Sequence, residues 1–227
     1  KVIFADIDPV TLCIDPESVR KKISKKTSVI LPVHFGGMPS NLRELEILAD
    51  NTNAMLIDDA AHAAGAKFDR KRIGSHGVMS CFSFHPVKNL AMPTGGLVAI
   101  NHKNHDRIRK TLLSRRWCGI TNRKDADYDV KELGWNFYMN EFSAAVGLAQ
   151  LSTLDKSNKI RLNVASRYNK EINVERKMSL NKDCSYHFYW ILTKNRNQFR
   201  KKMFENGIET GTHYKPIHKK SINSDDV

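Results

Sequence analysis

The sequence predicts an open, mainly parallel α/β sheet covered by helices, followed by a smaller α+β unit. Three observations carry that reading. Apolar runs of strand length alternate with amphipathic stretches as β-α-β-α-β through the first hundred residues. Val29 to Phe35 is almost uniformly apolar, as in a strand buried on both faces. After Ile100 the texture changes to a basic helix, a long helical stripe and one aromatic-rich run.

The elements follow in chain order. Val2 to Ala5 is a short apolar run with strand character. Pro16 to Ile23 reads as a helix, with Asp15 as N-cap and Pro16 at the first helical position. Ser40 is placed to cap a helix carrying the stripe Leu42, Leu45, Leu48 and Ala49. Ala54 to Ile57, Met79 to Phe84 and Leu97 to Ile100 supply three more strands. Asp106 to Arg116 is a basic helix. Glu141 to Leu154 is helical by its apolar spacing and continues through Tyr168. Ser185 to Thr193 reads as an aromatic strand, then Gln198 to Asn206 as a helix stopped by Gly207. The expected division is 1–155 and 156–227, inside the long helix, with a loose tail from Ser221 to Val227.

Composition narrows the class of protein. At 227 residues, 41% hydrophobic and 27% charged, the chain has the make-up of a globular protein and excludes fibrous and disordered classes. No apolar run approaches membrane-spanning length, and the first residues lack a signal-peptide layout, which together predict a cytoplasmic protein without a membrane partner. Cys13, Cys81, Cys118 and Cys184 show no paired spacing, so neither a metal site nor a disulfide framework is expected. The net charge of +13 comes from scattered pairs such as Lys21-Lys22 and Arg115-Arg116. Scatter of this kind marks solvated helix faces and a field that welcomes an anionic small molecule, rather than a nucleic-acid surface.

In an open α/β sheet, ligands lie beyond the carboxyl ends of the strands. Three places there carry chemistry. Asp58-Asp59-Ala60-Ala61-His62 follows a strand, and a carboxylate so placed either meets a cation or caps a turn. Ser83 and Lys88 lie on Cys81 to Asn89; a lysine beyond an aromatic strand is either an amine nucleophile of lowered pKa or a surface lysine. Gly95-Gly96 allows close backbone approach to a ligand, or makes an ordinary turn.

Together these stretches resemble the DegT/DnrJ/EryC1/StrS sugar aminotransferases. The resemblance rests on Asp-x-x-His after a strand, then Phe82-Ser83-Phe84-His85-Pro86 with Lys88-Asn89, then Gly95-Gly96. Pro32 to Pro39, Gly74 to Gly77, Leu133 to Asn136 and Gly207 to Pro216 agree in the expected order. It implies the type I, aspartate aminotransferase-like fold of pyridoxal 5′-phosphate enzymes. It further implies transamination of a nucleotide-linked keto-deoxysugar with glutamate as the amino donor.

The resemblance also assigns roles. Lys88 matches the Schiff-base lysine, which shuttles the substrate proton as a free amine. Asp59 matches the aspartate under the pyridine nitrogen, and Asp58 the acidic neighbour without cofactor contact. His62 falls near the cofactor's 3′-oxygen and Ser83 on the phosphate. Asn136 matches a residue reaching the phosphate of a neighbouring subunit, which implies a homodimer with shared sites. His213 and Tyr214 line the sugar-nucleotide side.

Lys88 stands where a dehydrating branch of the family carries histidine, which argues for transamination. Pro93-Thr94-Gly95-Gly96 replaces the usual Gly-acid-Gly-Gly, and Tyr138 stands where many relatives carry Arg. Relatives begin earlier and continue further, so an incomplete chain is expected, its phosphate loop lying before Lys1. The alternative is a truncated or degenerate member without catalytic activity.

Overall fold

The computed structural model describes residues 1–216; the expected tail and the last part of the second unit lie outside the described residues. Helix α1 (Pro16–Lys22) begins as its residues dictate, with the Asp15 carboxylate accepting from the N–H groups of Glu17 and Ser18 and Pro16 filling a donorless first position. Strand β1 (Val29–Ile30) leads through one 3₁₀ turn, Phe35–Gly37, to helix α2 (Leu42–Thr52) and strand β2 (Met55–Asp59). A small hairpin of β3 (Lys67–Phe68) and β4 (Lys71–Arg72) precedes β5 (Met79–Ser83) and β6 (Gly96–Ile100). The sheet order is β1-β2-β5-β6, with the first three parallel and β6 antiparallel at the edge.

Beyond the sheet come α3 (His105–Arg116) and a hairpin of β7 (Ile120–Lys124) and β8 (Asp127–Val130). The 31-residue α4 (Glu141–Glu171) follows, then β9 (Arg176–Lys177) paired with β10 (Ile191–Leu192), and α5 (Arg196–Glu205). Gly207 closes α5 at φ +74°.

Several elements differ from the sequence reading. Val2 to Ala5 forms no strand, since a ladder needs a partner and only a single bridge, Ile7 to Ile14, forms nearby. The strand expected over Val29 to Phe35 stops at Ile30. Pro32, without an N–H, interrupts the ladder, which resumes only where Asp59 donates to the Pro32 carbonyl and His34 to that of Asp59. Ser40 does not cap α2. Its hydroxyl donates to the Val33 carbonyl, and Asn41 caps the helix by accepting from the Glu44 N–H. The aromatic run forms a strand only at Ile191–Leu192, because Tyr186 sits at φ +46° and the N–H groups of Ser185 and His187 turn to the carbonyls of Gly37 and Gly36.

The α2 stripe Leu42, Leu45, Leu48 and Ala49 is buried against Ile30, Leu56, Ala60 and Ala63. A second cluster joins Cys13 and Met38 to Ala165, Met178, Tyr186 and Trp190, so residues on both sides of position 156 share one core. A third joins Phe84, Leu90 and Met92 to Leu154 of α4. Among the described residues no helix is long and apolar enough to cross a membrane.

Candidate active site

The parallel pairing of β2 with β5 places Asp59 opposite Cys81, so both strands deliver their carboxyl ends to the same edge of the sheet. Asp59 ends β2 and Ser83 ends β5, with Lys88 in the loop that follows. That loop is packed from within: Lys88 N–H donates to the His85 carbonyl, while Leu90 and Met92 are buried against α4. The two aspartates divide sharply. Asp58 points into the core, fully buried, and accepts from the Ser80 hydroxyl at 2.9 Å. His34 Nε2 lies 3.8 Å from the same carboxylate oxygen, Oδ2. Asp59 is half-buried and accepts from the Ala61 N–H through Oδ1.

His62 is buried above this edge. Its Nδ1 accepts from the Gly36 N–H at 3.3 Å, its carbonyl accepts from the Ser185 hydroxyl, and its Nε2 lies 3.5 Å from the Tyr214 hydroxyl. Gly37 makes this approach possible. Its φ of +90° is left-handed, and a Cβ there would strike the Ser185 hydroxyl and come within 2.9 Å of the His62 carbonyl. Tyr214 and His213 lie exposed on the same side, His213 stacked on Phe188 at 4.6 Å. Sequence reasoning missed His187, whose ring stacks on His62 with centroids 4.4 Å apart. Its signal was a single imidazole within Tyr186-His187-Phe188-Tyr189.

Charge organises the cluster. Burial lowers the Lys88 amine's pKa, against the opposing pull of the Asp59 carboxylate. His62 is pushed down to about 4 by burial first, then by the charges of Lys88 and His213. Burial, His62 and Lys88, in that order, with smaller contributions from Arg161 and His213, push His187 down to about 3. Lys88 and Asp59 thus sense one another but form no ion pair, and the Lys88 amine makes no hydrogen bond among the described residues. An amine and a carboxylate at one strand edge that form no ion pair are the two groups that an aldehyde-bearing, basic aromatic ring would engage.

The structure brings Asp59, His62, Lys88 and Tyr214 together. Ser83 stands at the mouth with its hydroxyl accepting from the His85 N–H at 3.3 Å. Asn136 lies apart, exposed and bridged through its backbone to Trp117, with no side-chain hydrogen bond among the described residues. Its segment still reaches the site loop, because Met139 packs against the cluster of Phe84, Leu90 and Met92.

This sheet, with a lysine and a carboxylate on one edge, has the architecture of a pyridoxal-phosphate transferase. The chain belongs to the DegT/DnrJ/EryC1/StrS aminotransferase family, whose profile matches residues 1–226. The aminotransferases of that family depend on pyridoxal 5′-phosphate. The chain is similar to GDP-perosamine synthase of Escherichia coli O157:H7, at 32% identity over 95% of this chain and 60% of the relative. It is also similar to UDP-4-amino-4,6-dideoxy-N-acetyl-beta-L-altrosamine transaminase of Campylobacter jejuni, at 34% identity over 92% of this chain and 58% of the relative. Among solved structures it superposes on the sugar aminotransferase CalS13 from Micromonospora echinospora with TM-score 0.87 and 28% identity, over 98% of this chain and 63% of that one. The chain spans about three fifths of the length of these relatives.

Proposed function

We propose that the protein to which this chain belongs is a pyridoxal-phosphate sugar aminotransferase. It moves an amino group from an amino-acid donor, glutamate, to the keto group of a nucleotide-linked deoxysugar. The observation that carries the reading is the half-buried Lys88, its pKa lowered by burial, across from an Asp59 carboxylate that forms no ion pair with it. Bound here, the cofactor supplies an aldehyde for amine condensation and an electron-withdrawing ring.

The chain's own residues do the rest. Asp59 would keep a proton on the ring nitrogen by its negative charge, and the Lys88 amine, with a lowered pKa, would take the proton from the substrate α-carbon and pass it to the cofactor's C4′ carbon. Ser83 offers a hydroxyl to the phosphate, and His62 a donor to the ring oxygen. His213 and Tyr214 stand on the sugar-nucleotide side. Lysine rather than histidine at position 88 favours transamination over dehydration.

The reading includes a homodimer with shared sites, to which Asn136 contributes across the interface. The support is apolar surface around that residue: Leu133, Phe137 and Phe142 are each at least 70% exposed. Residues 1–155 serve as the cofactor-binding domain and 156–227 as the smaller one. Free thiols at all four cysteines suit the cytoplasm. The charge of +13 suits a phosphorylated substrate rather than a nucleic acid or a membrane.

The test is chemical trapping. Mixed with pyridoxal phosphate and reduced with borohydride, the protein acquires the cofactor covalently on the peptide containing Lys88, and Lys88→Ala abolishes that labelling. A label on Lys67 or Lys110 sinks the assignment.

A further inference from the structure

Two backbone carbonyls and one backbone N–H fix the proton positions on the stacked imidazoles. A carbonyl only accepts. The Ser185 carbonyl takes a hydrogen bond from Asn89 Nδ2 at 2.6 Å, and the Ala64 carbonyl takes one from Asn158 Nδ2 at 2.9 Å. Asn158 therefore turns its oxygen to Asn89, which gives its second N–H to that oxygen at 2.9 Å. Both donors of Asn89 are then used. Its Oδ1, an acceptor only, faces His187 Nδ1 at 3.3 Å, so Nδ1 of that ring carries the proton and Nε2 is a bare lone pair. His62 has the reverse arrangement. Its Nδ1 accepts from the Gly36 N–H, so in the neutral ring the proton sits on Nε2, on the side of the Tyr214 hydroxyl.

We infer that His187 is a further residue of this site, held by Asn89 as a neutral proton acceptor beside the neutral donor His62. Asn89 is a positioning residue. It follows Lys88 directly and is buried between α4 and the 185–187 segment, so one side chain ties the lysine's loop to the tautomer of the imidazole. Burial and the Lys88 charge keep both rings unprotonated at neutral pH. The stacked rings accordingly carry opposite tautomers, a donor Nε2 on His62 and an acceptor Nε2 on His187. The inference rests on the proposed function only for what the pair acts on, since the tautomers are a property of the chain.

The experiment is long-range proton–nitrogen NMR on the full chain labelled with ¹⁵N-histidine, without added cofactor, at pH 7. His187 is expected as the Nδ1–H form and His62 as the Nε2–H form, with signals assigned by His187→Phe and His62→Phe. Asn89→Leu moves His187 toward the Nε2–H form that free histidine prefers and leaves His62 unchanged. A wild-type His187 that is protonated on Nε2 overturns the inference, and the wild-type spectrum decides this even if Asn89→Leu fails to fold.

A second readout uses the cofactor-loaded full-length protein. His187→Phe keeps the stack on His62 and the borohydride label on Lys88, but lowers the single-turnover rate with the amino donor by about 10²–10⁴-fold. An unchanged rate with labelling intact overturns the functional role. Loss of the Lys88 label in the wild type would instead overturn the proposed function and leave the tautomers standing.

Discussion

Asp58 and Asp59 are adjacent in sequence and opposite in surroundings, because successive side chains of a strand point to opposite faces. Asp58 turns inward, where Ser80 holds it; Asp59 turns to the site edge, where its charge acts on Lys88. Asp59→Asn keeps the shape and the Ala61 contact but removes the charge that would hold a proton on the cofactor ring. Transamination by the full-length protein is expected to fall by about 10²–10⁴-fold with the thermal unfolding curve unchanged. Equal activity of Asp59→Asn and wild type would show that the ring nitrogen is served by another group. At this scale a residue type and its distance from a strand end were enough to mark Asp59 and Lys88 as candidates but left a turn cap and a surface lysine open, and the resemblance chose between them. The sequence was silent on His187, because the contact that defines it comes from Asn89, ninety-eight positions away in the chain.

Among elements, α2 shows what periodicity can and cannot decide. Its buried stripe was readable because Leu42, Leu45, Leu48 and Ala49 follow the helical repeat and α2 packs directly on the sheet. Leu45→Ala opens a cavity at a fully buried position and is expected to cost about 2–5 kcal/mol, read as a lower urea midpoint with an unchanged slope. A cost below 0.5 kcal/mol would mean that α2 is not the main cover of this face. The aromatic run from Ser185 was not readable in the same way. Its β propensity is real, but its backbone bonds go to Gly36 and Gly37 and its rings to His62, Phe35 and His213, contacts that no local pattern encodes. The cap at Asn41 rather than Ser40 is a one-residue miss with a tertiary cause, since the Ser40 hydroxyl is occupied by Val33.

At the scale of the whole molecule, the site imprints itself on stability through pH. His62 and His187 have folded pKa values of about 4 and about 3, against roughly 6.5 for an unfolded histidine. Both are depressed, so between those values the unfolded chain binds more protons than the folded one, and stability rises with pH across that window. The contribution is fully present above about pH 6.5 and is lost as pH falls toward 4 and then 3. Lowered carboxylates at Asp8, Asp155 and Glu132 act in the same direction only at lower pH, which leaves pH 5 to 7 as the histidine window. Urea midpoints measured across it should drop toward pH 5, with up to two protons taken up on unfolding. The double variant His62→Phe, His187→Phe should keep a ring stack and show a flatter profile over the same range. If the wild type and the double variant lose stability in parallel, the acid sensitivity lies elsewhere in the molecule and these two rings are not held neutral by the fold.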